Sequence, residues 1–175
     1  RSHAHLLPLA SVALIAALAG SAVVTTVTGR SAAPTAGAPN ETVRAQGEAA
    51  LWVRAHVPLD ALTATNTHCL SGTGFGPECD SRRWWLSGLS GRRVLLESWS
   101  YVPAAVRVGY YDPALYALNQ SAFAAPTPEV LKRMQALGVS WLVAERLPGE
   151  VVSDRLNVLA TPRWSNDLVT VWQLR

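Results

Sequence analysis

The sequence predicts an α/β fold with a mostly parallel sheet and an antiparallel C-terminal hairpin, placed after one N-terminal transmembrane helix. Three features of the chain carry this prediction. An uncharged apolar run extends from Leu6 to Thr28. A capped helix pattern, Thr127–Gly138, leads directly into the apolar run Val139–Ala144, which is typical of a helix that feeds a buried parallel strand. The last run, Leu168–Leu174, alternates in the way expected of a terminal hairpin strand.

The first apolar run is long enough to cross a bilayer. A hydrocarbon core of about 30 Å requires about 20 apolar residues at helical rise, and the run contains no Asp, Glu, Lys or Arg. We therefore predict a transmembrane helix at 6–28, a linker of small residues at 29–41 and a folded domain at 42–175. That domain is long enough to bury a hydrophobic core of its own.

A cleavable secretory signal is the alternative interpretation of this segment. Arg1, His3 and His5 could form its basic start, and Ala36–Ala38 matches a small-residue cleavage site. However, the apolar run is longer than a signal requires, and Pro39 follows the cleavage position, where cleavage is usually poor. We therefore favour a retained helix.

The first residue, Arg1, is not a methionine. We therefore expect the sequence to be a piece of a longer polypeptide, in which 6–28 is the last of several membrane helices. The expected partners are the lipid bilayer and the remaining membrane helices of this parent protein. The expected location is the cell membrane, with the C-terminal domain on the extracytoplasmic side.

The charge pattern argues against a nucleic-acid partner. The net charge is +3, and Lys132 is the single lysine among 15 basic residues. The arginines are scattered with acids between them, so the chain has no block of Lys and Arg of the kind that nucleic-acid binding requires.

The two cysteines, Cys69 and Cys79, stand on either side of a glycine-rich loop. Because glycines make this loop flexible, the thiols can meet, and we predict a disulfide and an oxidising compartment. Two other interpretations stay open: a pair of free thiols, or a metal site that adds His68 and Asp80. The tight Cys-x-x-Cys pair of most zinc sites is missing.

The remaining elements follow from apolar spacing and from turn residues. The connection from Trp99 to Thr127 is long, so we expect either a functional or partner-covering loop or a hidden helix within it. In chain order, the predicted elements are a helix at Ala45–His56, a strand at Leu62–Asn66, a helix at Ser81–Leu89, a strand at Arg93–Glu97, the hidden helix at Pro113–Asn119 and a further hairpin strand at Leu156–Ala160.

Catalytic signatures are missing from the folded domain. The run Gly72–Gly76 does not place its third glycine at the spacing of a dinucleotide-binding fingerprint, and Gly88–Gly91 misses the spacing of a nucleophile elbow by one residue. We predict no catalytic residue, no metal ligand and no cofactor. The acids occur singly, without a D-x-D pair, at Asp60, Glu78, Asp80, Glu97, Asp112 and Glu145.

One aromatic and basic group could bind a ligand. Trp84 and Trp85 offer indole faces that stack on sugars, and Arg92 and Arg93 offer guanidinium groups that bind phosphates. The alternative is that the tryptophans belong to the core and the arginines to a solvated face. The wider group adds Arg82, Arg83, Trp99, Tyr101, Tyr110 and Tyr111.

The order of motifs resembles a known family. After the apolar span the chain reads LWVRAHVP, TN, WWLSGLSGRRVLLE, APTPEVLKRMQALGVSWLVAE and finally VTVWQLR. This order resembles the C-terminal extracytoplasmic portion of bacterial multispanning membrane proteins related to the GT-C glycosyltransferases, which use polyprenyl-phosphate sugars. The resemblance covers most of 41–175. It implies that the catalytic acids lie in an early extracytoplasmic loop near the first membrane helices, so none can be assigned in this sequence.

The expected function is therefore that of a non-catalytic extracytoplasmic domain of a membrane-embedded, glycosyltransferase-like protein. A glycan or a polyprenyl-phosphate headgroup is the ligand that this resemblance implies. The alternative is a self-contained membrane-anchored or secreted domain that binds a cell-envelope partner.

Overall fold

A computed structural model describes residues 40–71, 79–98 and 112–175. These residues belong to one compact unit, Asn40–Arg175. The predicted transmembrane segment at 6–28 lies outside the described residues. Among the residues that the structure describes, no helix is long and apolar enough to span a bilayer.

A five-stranded mixed sheet forms the centre of this unit, with the strand order β2-β1-β3-β5-β4. β1 pairs in parallel with both β2 and β3, whereas the pairs β3–β5 and β5–β4 are antiparallel. The α/β class and the C-terminal hairpin are thus confirmed, but the prediction of a mostly parallel sheet is not, because two of its strand pairs are parallel and two are antiparallel. In chain order the elements are α1 (Glu41–His56), β1 (Leu62–Thr65), α2 (Trp85–Ser90), β2 (Arg93–Val94), α3 (Pro113–Ala124), α4 (Pro128–Ala136), β3 (Val139–Glu145), α5 (Leu156–Leu159), β4 (Thr161–Ser165) and β5 (Val169–Gln173).

Helices cover both faces of the sheet. On one face, α3, α4 and α5 bury Phe123, Met134 and Leu156 against the sheet. On the other face, α1 and α2 bury Val53 and Leu86. Strands that are buried on both faces read as continuous apolar runs, which explains the apolar composition of β3, where every residue except Ser140 is buried.

Local capping explains where the helices on the first face begin and end. The Thr127 hydroxyl accepts from the amide of Val130 at 3.2 Å, as the sequence predicts for the start of α4. Gly138 follows with a φ of 91°, a conformation that favours glycine. The long connection after β2 contains α3, whose first amides are bonded by Asp112 at 2.9 and 3.0 Å.

Two strand predictions are wrong, the first in the type of element and the second in its extent. The strand predicted at Leu156–Ala160 is instead α5, a single helical turn closed by a bond from the amide of Ala160 to the carbonyl of Leu156. The first hairpin strand therefore begins at Thr161. The strand predicted at Arg93–Glu97 ends at Val94, because the Glu97 carboxylate turns back to bond the first amides of α2.

The parallel strands give the sheet two distinct edges. β1, β2 and β3 begin at what we call the amino edge and end at the carboxyl edge. The chain leaves β1 toward α2 on one face of the sheet, and it leaves β3 toward α5 on the opposite face. Because β1 and β3 are neighbours, their carboxyl ends form a crevice at a switch in chain direction.

Candidate functional site

The crevice between the carboxyl ends of β1 and β3 is the place where open α/β sheets most often bind ligands. Polar residues follow both strands at this point. Asn66, Thr67 and His68 come directly after β1, and Glu145 is the last residue of β3. This crevice is therefore a candidate ligand site, and of these four residues the sequence pattern indicates only His68, as part of the alternative metal site with Asp80.

The Glu145 carboxylate is fully buried and is surrounded by donors from the protein itself. Gln46 Nε2 donates to Oε2 at 2.6 Å, and Arg83 Nη2 donates to the same oxygen at 2.7 Å. Trp85 Nε1 donates to Oε1 at 2.7 Å, and the Thr67 hydroxyl also bonds Oε1. An ionised carboxylate offers about four lone-pair sites. Four protein donors therefore occupy the acceptor sites of the Glu145 carboxylate and leave none for a substrate.

The backbone amide and carbonyl of Glu145 are also hydrogen-bonded within the protein. Asn66 Nδ2 donates to the Glu145 carbonyl at 2.9 Å, and the Glu145 amide donates to Asn66 Oδ1 at 2.8 Å. These two bonds continue the β1–β3 pairing beyond its last registered pair, Thr65 with Val143. The Asn66 side chain thus acts in place of a further strand residue and closes the crevice.

The chemistry of this site is that of a structural cross-link. The Glu145 carboxylate joins four parts of the chain: α1 through Gln46, the segment after β1 through Thr67, and α2 with its preceding segment through Trp85 and Arg83. The Arg83 side chain is 10% exposed, so its ion pair with Glu145 is shielded from solvent. A buried carboxylate requires such pairing and bonding to remain charged.

A second buried carboxylate, Glu97, lies at the start of α2. Its Oε1 accepts from the amide of Leu86 at 2.5 Å, and its Oε2 accepts from the amide of Ser87 at 3.0 Å. Burial raises the pKa of Glu97, while these bonds and the nearby Arg83 act in the opposite direction. Glu97 satisfies helix amides that would otherwise be unpaired, and this role is structural as well.

His68 is buried beside this carboxylate. Its Nδ1 lies 3.1 Å from the Glu97 carbonyl, and its Nε2 lies 3.2 Å from Nδ2 of Asn119. A carbonyl can only accept and an amide nitrogen can only donate, so the neutral ring carries its proton on Nδ1. Burial, helped by the charge of Arg83, lowers the pKa of His68 to about 4. The ring is therefore held as a neutral packing group.

An open cavity of about 360 Å³ lies outside this closed network. It is lined by Arg146, Leu147, Pro148, Glu150 and Val152, all of which follow β3. Partial burial and the charge of Glu145 raise the pKa of Glu150. The cavity combines one guanidinium and one carboxyl group with apolar walls, so it fits a small polar ligand better than a charged one.

The structure joins Cys69 and Cys79 in a disulfide. Backbone bonds close the same loop, from the amide of Leu70 to the carbonyl of Asp80 and from the amide of Asp80 to the carbonyl of Ser71. The alternative of two free thiols and the alternative of a metal site are therefore both wrong, because oxidised cysteines cannot act as thiolate ligands. Asp80, which that metal site would also require, instead accepts a hydrogen bond from Arg82 Nε at 2.6 Å.

The two predicted ligand-binding tryptophans are both half-buried. Trp85 packs against the core between α1, α2 and the sheet, and its indole nitrogen is bonded to Glu145. The core interpretation of Trp85 therefore agrees with the packing. Trp84, the N-cap residue of α2, makes no side-chain cap bond to the helix.

The two predicted phosphate-binding arginines differ from each other. Arg92 Nε donates to the carbonyl of Val57 at 2.8 Å, and Nη2 donates to the carbonyl of Arg54. Arg92 thus satisfies carbonyls at the C-terminal end of α1, where a cation also complements the helix dipole. Arg93 is exposed, and its carbonyl accepts from the Thr63 hydroxyl at 2.8 Å. The aromatic residues Trp99, Tyr101, Tyr110 and Tyr111 lie outside the described residues.

Sequence reasoning missed the Glu145 network, although a signal was present. Glu145 directly follows an apolar parallel strand, and Asn66 follows the neighbouring one. Polar residues at the carboxyl ends of adjacent strands meet in space. Their distant partners Gln46 and Arg83 carry no local sequence signal, because the contacts span 99 and 62 positions.

Comparisons with known proteins assign no family to this arrangement. The chain matches no protein-family model, and no curated protein matches it either. Within the described ranges, no group of three or more His, Cys, Asp or Glu residues is arranged to hold a metal ion.

Proposed function

We propose that this chain is a non-catalytic extracytoplasmic domain, anchored by a transmembrane helix at 6–28, that serves a membrane-embedded protein of the glycosyltransferase type. The observation that carries the proposal is the closed state of the crevice at the carboxyl edge. Catalytic carboxylates need free lone pairs within reach of a substrate. Glu145 is fully buried and bonded to four protein donors, so it meets neither requirement.

The disulfide supports the extracytoplasmic part of the proposal. Disulfides such as Cys69–Cys79 form and persist in oxidising environments and are rare in the cytosol. The uncharged run at Leu6–Thr28 supports the anchor, because about 20 apolar residues suffice to cross the hydrocarbon core. The glycosyltransferase context follows from the resemblance in the order of motifs over 41–175.

Thiol labelling of the full chain in cells tests this proposal. The two cysteines are the only ones in the chain, so a membrane-impermeant maleimide reports on the domain alone. We expect Cys69 and Cys79 to be labelled in intact spheroplasts, and only after reductant is added. Labelling that requires the inner membrane to be opened would contradict the proposed orientation.

A matched variant tests which side of the membrane the start of the chain occupies. In a chain with Cys69→Ser and Cys79→Ser, the change Ser2→Cys places a single thiol before the apolar run. The proposal predicts that this thiol is labelled only after the inner membrane is opened. Labelling of both positions from outside would show that the apolar run does not span the membrane.

A second candidate function is the recognition of a cell-envelope glycan by a self-contained anchored domain. The cavity beside Arg146 and Glu150 favours it, because a guanidinium and a carboxyl group can both bond sugar hydroxyls. Calorimetric titration with envelope glycan fragments tests this function. Binding that is lost in Arg146→Ala but kept in the control Arg163→Ala would support it, and no heat with the wild-type chain would reject it.

A further inference from the structure

The amino edge of the sheet carries exposed leucines in the segments that precede three adjacent strands. Leu59, in the turn before β1, is 73% exposed. Leu89, in the last turn of α2 before β2, is 51% exposed, and Leu137, between α4 and β3, is 46% exposed. Single exposed leucines are ordinary on protein surfaces. Here three of them precede neighbouring strands at the same edge of the sheet, and we call this part of the protein the amino-edge surface.

Arginines share this surface with the leucines. Arg93 is the first residue of β2 and is exposed, and Arg54 and Arg92 meet at the C-terminal end of α1. Arg133 lies in the last turn of α4. Arg175 lies beside the start of β4, where its Nε donates to the Thr161 hydroxyl at 3.2 Å.

Within the described ranges, these five arginines form no ion pair with an acidic side chain. The ion pairs in the described part of the chain use Arg44, Arg82, Arg83 and Arg146 instead. Among the described residues, Asp60 is the one acid at the amino edge, in the turn before β1. The buried acids Glu97 and Glu145 lie at the carboxyl edge. The amino-edge surface is therefore strongly basic although the whole chain has a net charge of only +3.

We propose that the amino-edge surface docks on an anionic lipid surface. Guanidinium groups bind headgroup phosphates through paired hydrogen bonds, and exposed leucines enter the boundary between headgroups and acyl chains. Each arginine near an anionic membrane strengthens partitioning by about fivefold, within one Debye length. The proposal rests on the proposed function to the extent that a transmembrane anchor holds the domain beside a bilayer.

Other occupants fit this surface less well. Two copies of the chain in two-fold contact would place arginines against arginines, and these like charges repel. Nucleic acids select basic surfaces, but they gain nothing from three exposed leucines. An anionic bilayer is complementary to both features at once, because it offers phosphates above an apolar layer.

Hydrogen exchange of the full chain in vesicles tests the docking. One set of vesicles contains phosphatidylcholine alone, and the other contains about one phosphatidylglycerol in three lipids. We expect the backbone amides of the segments 58–61 and 88–93 to exchange several-fold more slowly in the anionic vesicles. This protection should disappear in about 1 M salt, where the Debye length is about 3 Å.

Three double variants separate the effect of charge at the amino edge from the effects of total charge and of the leucines. Arg93→Gln with Arg133→Gln should abolish the protection. Arg44→Gln with Arg146→Gln removes the same charge away from the amino edge and should leave it intact. Leu59→Ser with Leu89→Ser should weaken the protection at unchanged charge, and both leucines are exposed enough for the fold to tolerate the change.

The outcomes are distinct from those that test the anchor. If the chain stays in the vesicles after alkaline extraction but 58–61 and 88–93 exchange equally in both lipids, the docking is overturned and the anchor stands. If the chain does not enter either vesicle and shows no protection, both proposals are overturned. Protection that rises with protein density at constant lipid assigns the surface to a second copy and also overturns the docking.

Discussion

The Trp85 indole donates a hydrogen bond to the Glu145 carboxylate across 2.7 Å, although the two residues stand 60 positions apart. A hydrogen bond to a charged group contributes about 1.5–3 kcal/mol. We predict that Trp85→Phe, which keeps a ring and removes the donor, lowers the free energy of unfolding by about that amount. Denaturant unfolding of the domain expressed from Asn40 measures it.

Trp164→Phe is the matched control for this change. Trp164 is half-buried and stacks on Trp52, with the two ring centroids 6.1 Å apart. Its indole nitrogen donates no hydrogen bond to any residue in the part of the chain that the structure describes. Trp164→Phe should therefore lower the free energy of unfolding by less than Trp85→Phe does. Equal losses at both positions would show that ring volume, and not the bond to Glu145, causes the effect.

Reduction of the disulfide should weaken the domain without unfolding it. The capped α4 helix and the buried strand β3 form part of a core of their own, so the domain from Asn40 should fold as a soluble monomer. Closing a loop with a sequence separation of 10 residues stabilises a fold by roughly 2–3 kcal/mol in the chain-entropy model. The denaturant midpoint should therefore fall after reduction, and Cys69→Ser with Cys79→Ser should reproduce the reduced value. An unchanged midpoint would contradict a stabilising role for the disulfide.

Acidification should destabilise the domain through His68. The pKa of His68 in the folded protein, about 4, lies below the ordinary value of 6.5. Between these two pH values the unfolded chain therefore binds the proton more readily than the folded protein does. The stabilising contribution is thus complete above pH 6.5 and is lost as the pH falls toward 4, by about 3 kcal/mol in total. Glu97 acts in the opposite direction, because burial raises its pKa.

A variant comparison isolates the contribution of His68. His68→Gln has no charge to gain, so its stability should vary less between pH 7 and pH 4.5 than that of the wild type. Parallel curves for wild type and His68→Gln would show that another group is responsible.

The adjacent residues Arg92 and Arg93 should respond differently to the same substitution. Arg92→Ala removes donors from the carbonyls at the end of α1 and should cost about 1–2 kcal/mol of stability. Arg93→Ala removes an exposed side chain and should leave the unfolding curve unchanged. Matching curves for the two variants would contradict the capping role of Arg92.

Much of the fold was readable from the sequence because its signals are local. Thr127 and Gly138 mark the ends of a helix through their own backbone preferences. The apolar run that follows is stable only as a strand buried in the core. The strand at Leu156–Ala160 was wrong because a short apolar run suits a helical turn equally well. The strand after Arg93 was too long because Glu97 bonds α2 instead of continuing the ladder.

The candidate site was less predictable than the fold. The sequence pattern places Arg83 in an aromatic and basic group of candidate ligand residues, yet Arg83 forms a buried ion pair with Glu145. Nothing in the residues around Arg83 reports this pairing, because the two meet only when β3 and the segment before α2 reach the same edge of the sheet. Long-range polar contacts of this kind depend on the topology, and the sequence pattern alone does not specify them.

The most direct test of the central claim is the change in stability caused by Glu145→Gln. The variant keeps the shape of the side chain but leaves Arg83 buried without a counter-charge and brings an amide group against neighbouring donors. A structural carboxylate predicts a loss of about 3–5 kcal/mol in the free energy of unfolding. A carboxylate held in place for catalysis predicts the opposite sign, because active-site groups are often retained at a cost to stability. A stability equal to or above that of the wild type would contradict the non-catalytic assignment.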